Sequence, residues 1–285
     1  MTIVYLNGEY VPHERAAISV DYRGFVFGDG IYEGIRAIDG RLFEWQAHAD
    51  RMIEGLTGIR IAFPADRVAA LHGVCERLLR DNDLATGDAF LYLQVTRGAA
   101  PRTHGFPPAG TPPTAYASAT RLTRRPELQR SGAKAITHED LRWSRCDWKT
   151  VNLLGSVLAR QAATDAGAFE AILVRDGAVT EGASATIFAV VDGVLRTHPL
   201  GHRILPSVTR KVVMACIEDL RLPVKEQAVT LAELARAEEL FLCGTINNIT
   251  PLISVDGRPV GTGTPGPITA QLREAFDARL YGRSG

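Results

Sequence analysis

The chain has 285 residues, 46% of them hydrophobic, so it is long enough to bury one large core or two modest ones. Basic and acidic residues balance at 32 each, which argues against nucleic-acid and membrane-surface partners and favours a small-molecule ligand. The amino terminus has no basic segment followed by an apolar stretch, and no uncharged apolar run approaches the length of a membrane span. We therefore expect a soluble, cytoplasmic protein.

Two reactive residue types limit the chemistry available to the chain. The four cysteines stand singly, without the spacing of a zinc site or the density of a disulfide framework, so we expect reduced, buried thiols and predict no metal. Lysine is rare, because only four of the 32 basic residues are lysines: Lys134, Lys149, Lys211 and Lys225. Chemistry that requires an amine nucleophile therefore has few candidates.

The first half of the chain combines hairpins, helices and one long loop. Asn7-Gly8 and Asp39-Gly40 favour tight antiparallel turns, since both dipeptides tolerate positive φ. Apolar residues recur at helical spacing from Trp45 to about Ile59 and from Ala65 to Asn82. The later segment GAAPRTHGFPPAGTPPT is too rich in Gly and Pro for regular structure, and its length predicts a functional loop.

The charged, proline-containing segment RLTRRPELQRSG predicts an interdomain linker over residues 121–132. It would separate a small α+β domain, residues 1–120, from a larger domain, residues 133–285. In the larger domain predicted strands and hairpins alternate with helices, the first from about Val151. This order predicts an α+β fold with mostly antiparallel strands in two lobes and a ligand cleft between them.

Two short segments could present backbone amides to an anion. In LPSVTR, Pro206 and Ser207 precede a predicted helix, whose first amides, on Val208 and Thr209, have no partner within the helix. In CGTINNIT, Thr245 follows the end of a predicted strand and could act in the same way. An ordinary capped helix and an ordinary turn explain both patterns equally simply.

Among the lysines, Lys149 has the most distinctive surroundings. It lies in RCDWKTVNLLG, between Trp148 and an apolar helix start, where burial would favour a neutral, nucleophilic amine. The other three lysines adjoin charged or turn residues and are predicted to lie on the surface. A lysine that extends its stem along apolar surface and keeps its ammonium in water remains the alternative for Lys149.

Seven segments, in order along nearly the whole chain, together resemble one known family. They are RGFVFGDGIYEGIR, HADRM, LQVTRGAAPRTHGFP, RCDWKTVNLLGSVLA, EAILVRDGAVTEG, LPSVTR and CGTINNITP. They resemble the fold-type IV, class IV aminotransferases, and most closely the D-amino acid aminotransferases among them. The resemblance implies a two-domain fold-type IV structure with pyridoxal 5'-phosphate in the interdomain cleft.

The resemblance also implies roles for individual residues. Lys149 corresponds to the internal aldimine lysine, which also moves the proton between the substrate α-carbon and the cofactor. Glu181 corresponds to the carboxylate that keeps the pyridine nitrogen protonated, so that the ring can accept electrons. The remaining cofactor contacts that the resemblance implies are Arg51, Val208, Thr209 and Thr245 at the phosphate and Leu205 against the ring.

On the substrate side, Tyr32, Arg102 and His104 resemble the carboxylate-binding group of the D-amino acid enzymes. In that group the arginine and histidine come from a loop of the partner subunit, which implies a homodimer. The expected activity is transamination between D-amino acids, such as D-alanine and D-glutamate, and 2-oxo acids.

Some features depart from the D-amino acid pattern. IYEGIRAI is closer to the branched-chain L-amino acid aminotransferases, whereas Leu153 favours the D-type. After Glu181 the sequence reads GASAT, with only Ser184 kept from an expected run of serines. The alternatives are an (R)-selective amine transaminase, a branched-chain L-aminotransferase, an aminodeoxychorismate-lyase-like enzyme, and a protein that binds the cofactor without turnover.

Overall fold

The computed structural model describes residues 1–282, which divide into two compact units. The first unit holds Met1–Thr123 together with Trp148–Asn152, and the second holds Arg124–Asp147 and the chain from Leu153 onward. Each unit combines helices with its own sheet, which confirms the predicted α+β class. Within residues 1–282, every helix is too short or too polar to cross a bilayer.

The first unit contains a six-stranded sheet in which every neighbouring pair is antiparallel. Its order is β2-β1-β6-β5-β3-β4, with β1 at Ile3–Leu6, β2 at Glu9–Pro12, β3 at Gly30–Ile38, β4 at Arg41–Leu42, β5 at Asp88–Thr96 and β6 at Thr114–Arg121. The helices are α1 (Arg23–Phe27), α2 (Trp45–Gly58) and α3 (Ala65–Asp81), and a 3-10 turn covers His13–Arg15. The two predicted helices are α2 and α3, while α1 was not predicted.

The core of this unit lies between the sheet and helices α2 and α3. Apolar side chains on α2 and α3 recur every three or four residues, so each helix turns one stripe toward the sheet. Fully buried members include Met52 and Leu56 of α2, Leu78 of α3 and Ile35 and Leu91 of the sheet. Each such side chain contributes about 1.5–3 kcal/mol by leaving water.

The segment Trp148–Asn152 pairs with β3 rather than continuing into a helix. The Tyr32 amide donates to the Lys149 carbonyl (2.9 Å), and the Val151 amide donates to the Gly30 carbonyl (3.0 Å). The Trp148 indole lies against Gly58, where any Cβ would overlap the ring. These contacts fix the backbone on both sides of Lys149.

The second unit contains a nine-stranded sheet with both kinds of pairing. The strands are β7 (Ala133–Glu139), β8 (Glu170–Arg175), β9 (Ala178–Gly182), β10 (Thr186–Val191), β11 (Val194–Thr197), β12 (Val224–Glu226), β13 (Glu239–Gly244), β14 (Asn248–Val255) and β15 (Arg258–Pro259). Their order is β12-β11-β10-β13-β14-β7-β8-β9, with β15 on β14. The pairs β11–β12, β14–β7 and β7–β8 are parallel and the others antiparallel.

Five helices accompany this second sheet. They are α4 (Pro126–Ser131), α5 (Leu154–Asp165), α6 (Val208–Asp219), α7 (Leu231–Leu234) and α8 (Pro267–Tyr281). Helix α5 begins at Leu154, later than the predicted start near Val151, because Val151 is engaged with β3. Helix α4 lies within the segment for which the sequence predicted a linker.

Residues 98–113, the recognition loop, connect β5 to β6 without regular helix or strand. Gly98 begins the loop with a φ of +92°, and a Cβ there would collide with the Pro112 carbonyl. The close approach of the loop's two ends therefore requires a residue without a side chain.

We expect Gly98→Ala to lower the free energy of unfolding by at least about 1–2 kcal/mol, since alanine adds both backbone strain and a backbone collision. Urea denaturation measures this change. The matched control is Gly73→Ala on the exposed side of α3, where a Cβ meets nothing within 4 Å. That control should raise stability by about 0.5–1 kcal/mol, and equal effects of the two substitutions would contradict the role of Gly98.

Candidate active site

Lys149 lies beside an ordered pair of tyrosines in the first unit. Its Nζ is 3.2 Å from the Tyr32 hydroxyl and 4.3 Å from the centre of the Tyr32 ring. Tyr32 stacks on Tyr92 at 5.6 Å, and burial raises the pKa of the Tyr92 hydroxyl above its usual range. The amine is half-buried and contacts both the hydroxyl and the ring of Tyr32, an arrangement that suits a nucleophile or a proton carrier.

The other three lysines occupy different surroundings. Lys134, Lys211 and Lys225 are exposed on β7, α6 and β12, as the sequence predicted. Their amines are solvated, which leaves Lys149 as the lysine with a structured environment.

Arg51 extends from α2 to a buried carboxylate on β3. Its Nε and Nη2 donate to the two oxygens of Glu33 at 2.8 and 2.6 Å, and His48 Nδ1 lies 2.7 Å from Glu33 Oε2. Glu33 shares the face of β3 that carries Ile31 and Ile35, whereas Tyr32 projects to the opposite face. Neighbouring residues of β3 therefore serve different partners: Glu33 orients Arg51 on one face, and Tyr32 contacts Lys149 on the other.

The Glu33 carboxylate of this cluster stays ionised despite its burial. Burial alone would raise the pKa of the Glu33 carboxyl, but the Arg51 charge and the hydrogen bonds from Arg51 and His48 outweigh it and lower the pKa to about 2. Burial lowers the pKa of His48, so near neutral pH the ring is uncharged and donates Nδ1–H to Glu33. Glu33 and His48 were not singled out from the sequence, because only the fold aligns them with Arg51.

The recognition loop presents Arg102 and His104 to solvent. Both side chains are exposed, and both lie against the Phe27 ring of α1, at 5.4 Å for the Arg102 guanidinium and 5.7 Å for the His104 ring. Both side chains therefore lie around one ring of α1.

In the second unit, Glu181 on β9 is buried and held by two donors. Arg142 forms an ion pair with its carboxylate, and the Leu205 amide donates to it at 3.2 Å. Ser184 donates instead to the buried Glu170 at 2.9 Å. Arg142 and the Leu205 amide thus support Glu181, while the Ser184 hydroxyl bonds to Glu170.

Arg142 is a site residue that the sequence analysis missed. Its Nε and Nη2 donate to the two oxygens of Asp140 at 2.8 Å each, and Thr180, the neighbour of Glu181, donates to Asp140 at 2.9 Å. Burial opposes the charge on Arg142, but Asp140 and Glu181 raise its pKa above the usual range. Arg142 thus places a cation beside the Glu181 carboxylate. The only sequence signal was an arginine shortly before Lys149, among many arginines.

The two predicted anion-binding segments lie at the start of α6 and at the end of β13. Ser207 caps α6, and its Oγ accepts from the Arg210 amide at 3.2 Å, which leaves the earlier amides of Val208 and Thr209 directed out of the helix. Thr245 begins the turn between β13 and β14. The structure thus gathers Lys149, Tyr32 and Arg51 around β3 in the first unit and joins Glu181 to Leu205 in the second.

Residues 30–255 match the family described as amino-transferase class IV. The chain is 42% identical, over the full length of both proteins, to the D-alanine aminotransferase of Staphylococcus haemolyticus. It is 40% identical to the D-alanine aminotransferase of Bacillus licheniformis, covering 96% of this chain and 95% of that protein.

Solved structures give a second comparison. The branched-chain amino acid aminotransferase of Escherichia coli superposes with a TM-score of 0.90 at 28% identity, covering 99% of this chain and 96% of that one. The branched-chain aminotransferase of Thermoproteus uzoniensis, solved with norvaline, gives a TM-score of 0.87 at 28% identity, covering 99% and 96%. A further branched-chain enzyme of this fold was solved with pyridoxamine 5'-phosphate.

We expect Glu33→Gln to lower the free energy of unfolding at pH 7 by about 3 kcal/mol, because a buried arginine loses its counter-charge. Since the folded-state pKa of Glu33 is depressed, its stabilisation is present above the ordinary value of 4.5 and is lost as pH falls toward about 2. The difference between wild type and variant should therefore narrow below pH 4.5.

Urea denaturation from pH 7 to about pH 3.5 measures this difference. Glu76→Gln, at an exposed position on α3, is the matched control and should leave stability nearly unchanged. A gap between wild type and Glu33→Gln that stayed constant over this pH range would show that Glu33 is not ionised in the folded protein.

Proposed function

The chain belongs to the class IV aminotransferases, which use pyridoxal 5'-phosphate, and we propose that it transfers amino groups between D-amino acids and 2-oxo acids through Lys149. The observation that carries the assignment to Lys149 is its half-buried amine, 3.2 Å from the Tyr32 hydroxyl, in a chain whose other lysines are exposed.

The donor set fits the cofactor. An amine beside a phenol hydroxyl suits the aldehyde, a carboxylate paired with Arg142 suits a protonated ring nitrogen, and helix amides suit a phosphate. In this proposal Arg51, Val208, Thr209 and Thr245 hold the phosphate and Leu205 packs against the ring. When bound, pyridoxal phosphate supplies a carbonyl that takes up the amino group and a ring that accepts electrons.

The protein's own groups then have distinct tasks. Lys149 Nζ accepts the proton from the substrate α-carbon, and the Tyr32 hydroxyl orients that amine. Glu181 holds a proton at the pyridine nitrogen, and Arg142 holds the Glu181 carboxylate in place. Glu33 fixes the guanidinium of Arg51 bidentately, so that little ordering remains for phosphate binding.

Specificity for D-amino acids has two kinds of support. The D-alanine aminotransferases reach 42% identity over the full chain, against 28% for the branched-chain enzyme of the same fold. Arg102 and His104 also lie against the same Phe27 ring in the recognition loop, where we propose that they bind the α-carboxylate of a small substrate. The branched-chain L-aminotransferase remains the second candidate, favoured by the structural likeness and by the β3 sequence.

The proposal includes a homodimer in which the loop of one subunit completes the site of the other. Arg102 and His104 are exposed on their own chain, as groups that serve a partner would be. On α5, Leu154, Val157 and Leu158 form an exposed apolar stripe at helical spacing, which suits a subunit interface. All four cysteines are free and buried, consistent with a reducing, cytoplasmic location.

Lys149→Ala should still fold but lose about a thousandfold or more of its activity, because the covalent and proton-transfer roles both disappear. Borohydride, which fixes the bond between lysine and cofactor, should label the wild type on the peptide containing Lys149 and leave the variant unlabelled. Lys134→Ala is the matched control and should label normally. Label on Lys134, Lys211 or Lys225 would contradict the assignment.

Arg102→Ala should reduce kcat/KM for D-alanine by about thirty-fold to a few thousand-fold, because a partly desolvated carboxylate loses its bidentate partner. The amine (R)-1-phenylethylamine has no carboxylate, so its rate should be unchanged or improved. Equal losses with both substrates would mean that Arg102 supports the loop and does not bind the carboxylate. An unaffected D-alanine reaction would favour the L-specific alternative.

The same variants test the shared site. A heterodimer of Lys149→Ala and Arg102→Ala subunits holds one site with both an intact lysine and an intact loop arginine if the loop acts across the dimer. Mixed subunits should then recover activity with D-alanine that neither parent shows. No recovery in a verified heterodimer would place Arg102 in its own subunit's site.

A further inference from the structure

The recognition loop has little packing of its own before Phe106, whose ring lies against the guanidinium groups of Arg97 and Arg60 at 3.8 and 4.6 Å. Residues 101–106 are all exposed, and the loop's backbone contacts with the preceding chain lie near its start, where the Arg23 amide donates to the Gly98 carbonyl at 2.9 Å. A loop of this composition would be mobile unless side chains anchored it further along. The positions of Arg102 and His104 therefore depend on whatever holds the middle of the loop.

Arg23 of α1 reaches that middle. Its side chain is buried, Nε donates to Asp29 Oδ2 at 2.9 Å, and Nη1 donates to the Thr103 carbonyl at 2.9 Å. Thr103 stands between Arg102 and His104, so this bond fixes the peptide that links the two proposed carboxylate-binding residues. A charged donor makes such a bond about twice as strong as a neutral one.

Asp29 is itself tied to the body of the unit. Arg97 donates to both of its oxygens, at 2.8 and 2.9 Å, and also to the carbonyls of Ile59 and Arg60 at the end of α2. Arg23 is thus held at one end by a carboxylate that does not depend on the loop. Its other end is available to hold the loop.

The Phe27 ring, also on α1, packs against both Arg23 and the recognition loop. Its ring contacts the guanidinium of Arg23 at 4.6 Å as well as the side chains of Arg102 and His104. The side chains of Arg23, Arg102 and His104 therefore all contact the Phe27 ring, which limits their positions relative to one another.

We infer that Arg23 is a positioning residue for substrate recognition: anchored by Asp29, it holds the Thr103 peptide so that Arg102 and His104 meet the carboxylate of a small amino acid. Arg23 acts through the loop and does not itself touch the substrate. This inference rests on the proposed function of the loop.

The test uses Arg23→Met in the cofactor-loaded enzyme. Asp29 keeps its two bonds to Arg97 in this variant, so no carboxylate is left buried and unpaired. Hydrogen exchange of the amides at 102–106 should be about tenfold or more faster than in wild type, while exchange in β5 stays unchanged. KM for D-alanine should rise about tenfold or more with kcat within about threefold, and (R)-1-phenylethylamine should react as with wild type.

Two further variants complete the design. Phe27→Leu removes the ring at a half-buried position and should change exchange and KM in the same direction, so it carries the test if Arg23→Met does not fold. Arg77→Met, which breaks an exposed pair with Asp81 on α3, is the matched control and should behave as wild type.

Unchanged hydrogen exchange of the amides at 102–106 in both Arg23→Met and Phe27→Leu would overturn the inference. Faster exchange with an unchanged KM, or with equal losses for D-alanine and the amine, would also overturn it, since loop order would then not serve carboxylate binding. Failure of the proposed function gives a different result from failure of this inference. If Arg102 does not bind the substrate carboxylate, Arg102→Ala reacts normally with D-alanine. Hydrogen exchange at residues 102–106, in contrast, reports only whether Arg23 orders the loop.

Discussion

Hydrogen bonding along both edges of β3 is the constraint on which the first unit's share of the site depends. One edge pairs with β5 over the whole strand, and the other receives the backbone around Lys149. Successive residues of an extended strand point to opposite faces, so Tyr32 meets the amine while Glu33 meets α2. A slip of one residue would exchange these faces and lose both contacts at once.

The free-energy cost of burying the Glu33 carboxylate determines the orientation of Arg51. A carboxylate without a partner would be strongly disfavoured at that depth, and its pairing with Arg51 and His48 makes the strand position tolerable. The same pairing restricts the arginine to one orientation before any ligand arrives. The Glu33–Arg51 ion pair therefore contributes both to the stability of the fold and to ligand binding.

The sequence predicted the elements that local patterns determine. Periodicity located α2 and α3, Ser207 marked the start of α6, and the Gly/Pro composition located the recognition loop. It did not reveal α1, which is too short to show a period, or the pairing of residues 148–152 with β3, which joins distant parts of the chain. Arg142 and Glu33 were missed for the same reason, since their partners are distant in sequence.

The arginine–carboxylate ion pairs give a physical reason for the strong excess of arginine over lysine. Buried or half-buried carboxylates are held by arginines at several places, among them Glu33 by Arg51, Asp29 by Arg23 and Arg97, and Glu181 by Arg142. Arginine suits this task because its planar fork binds a carboxylate bidentately and keeps its charge at any physiological pH. It also cannot replace an amine in forming a covalent bond to an aldehyde. A lysine in any of these pairs would act only as a point charge and would lose the planar, bidentate contact. Structural charges carried by arginine thus leave the chemistry of the amine to Lys149.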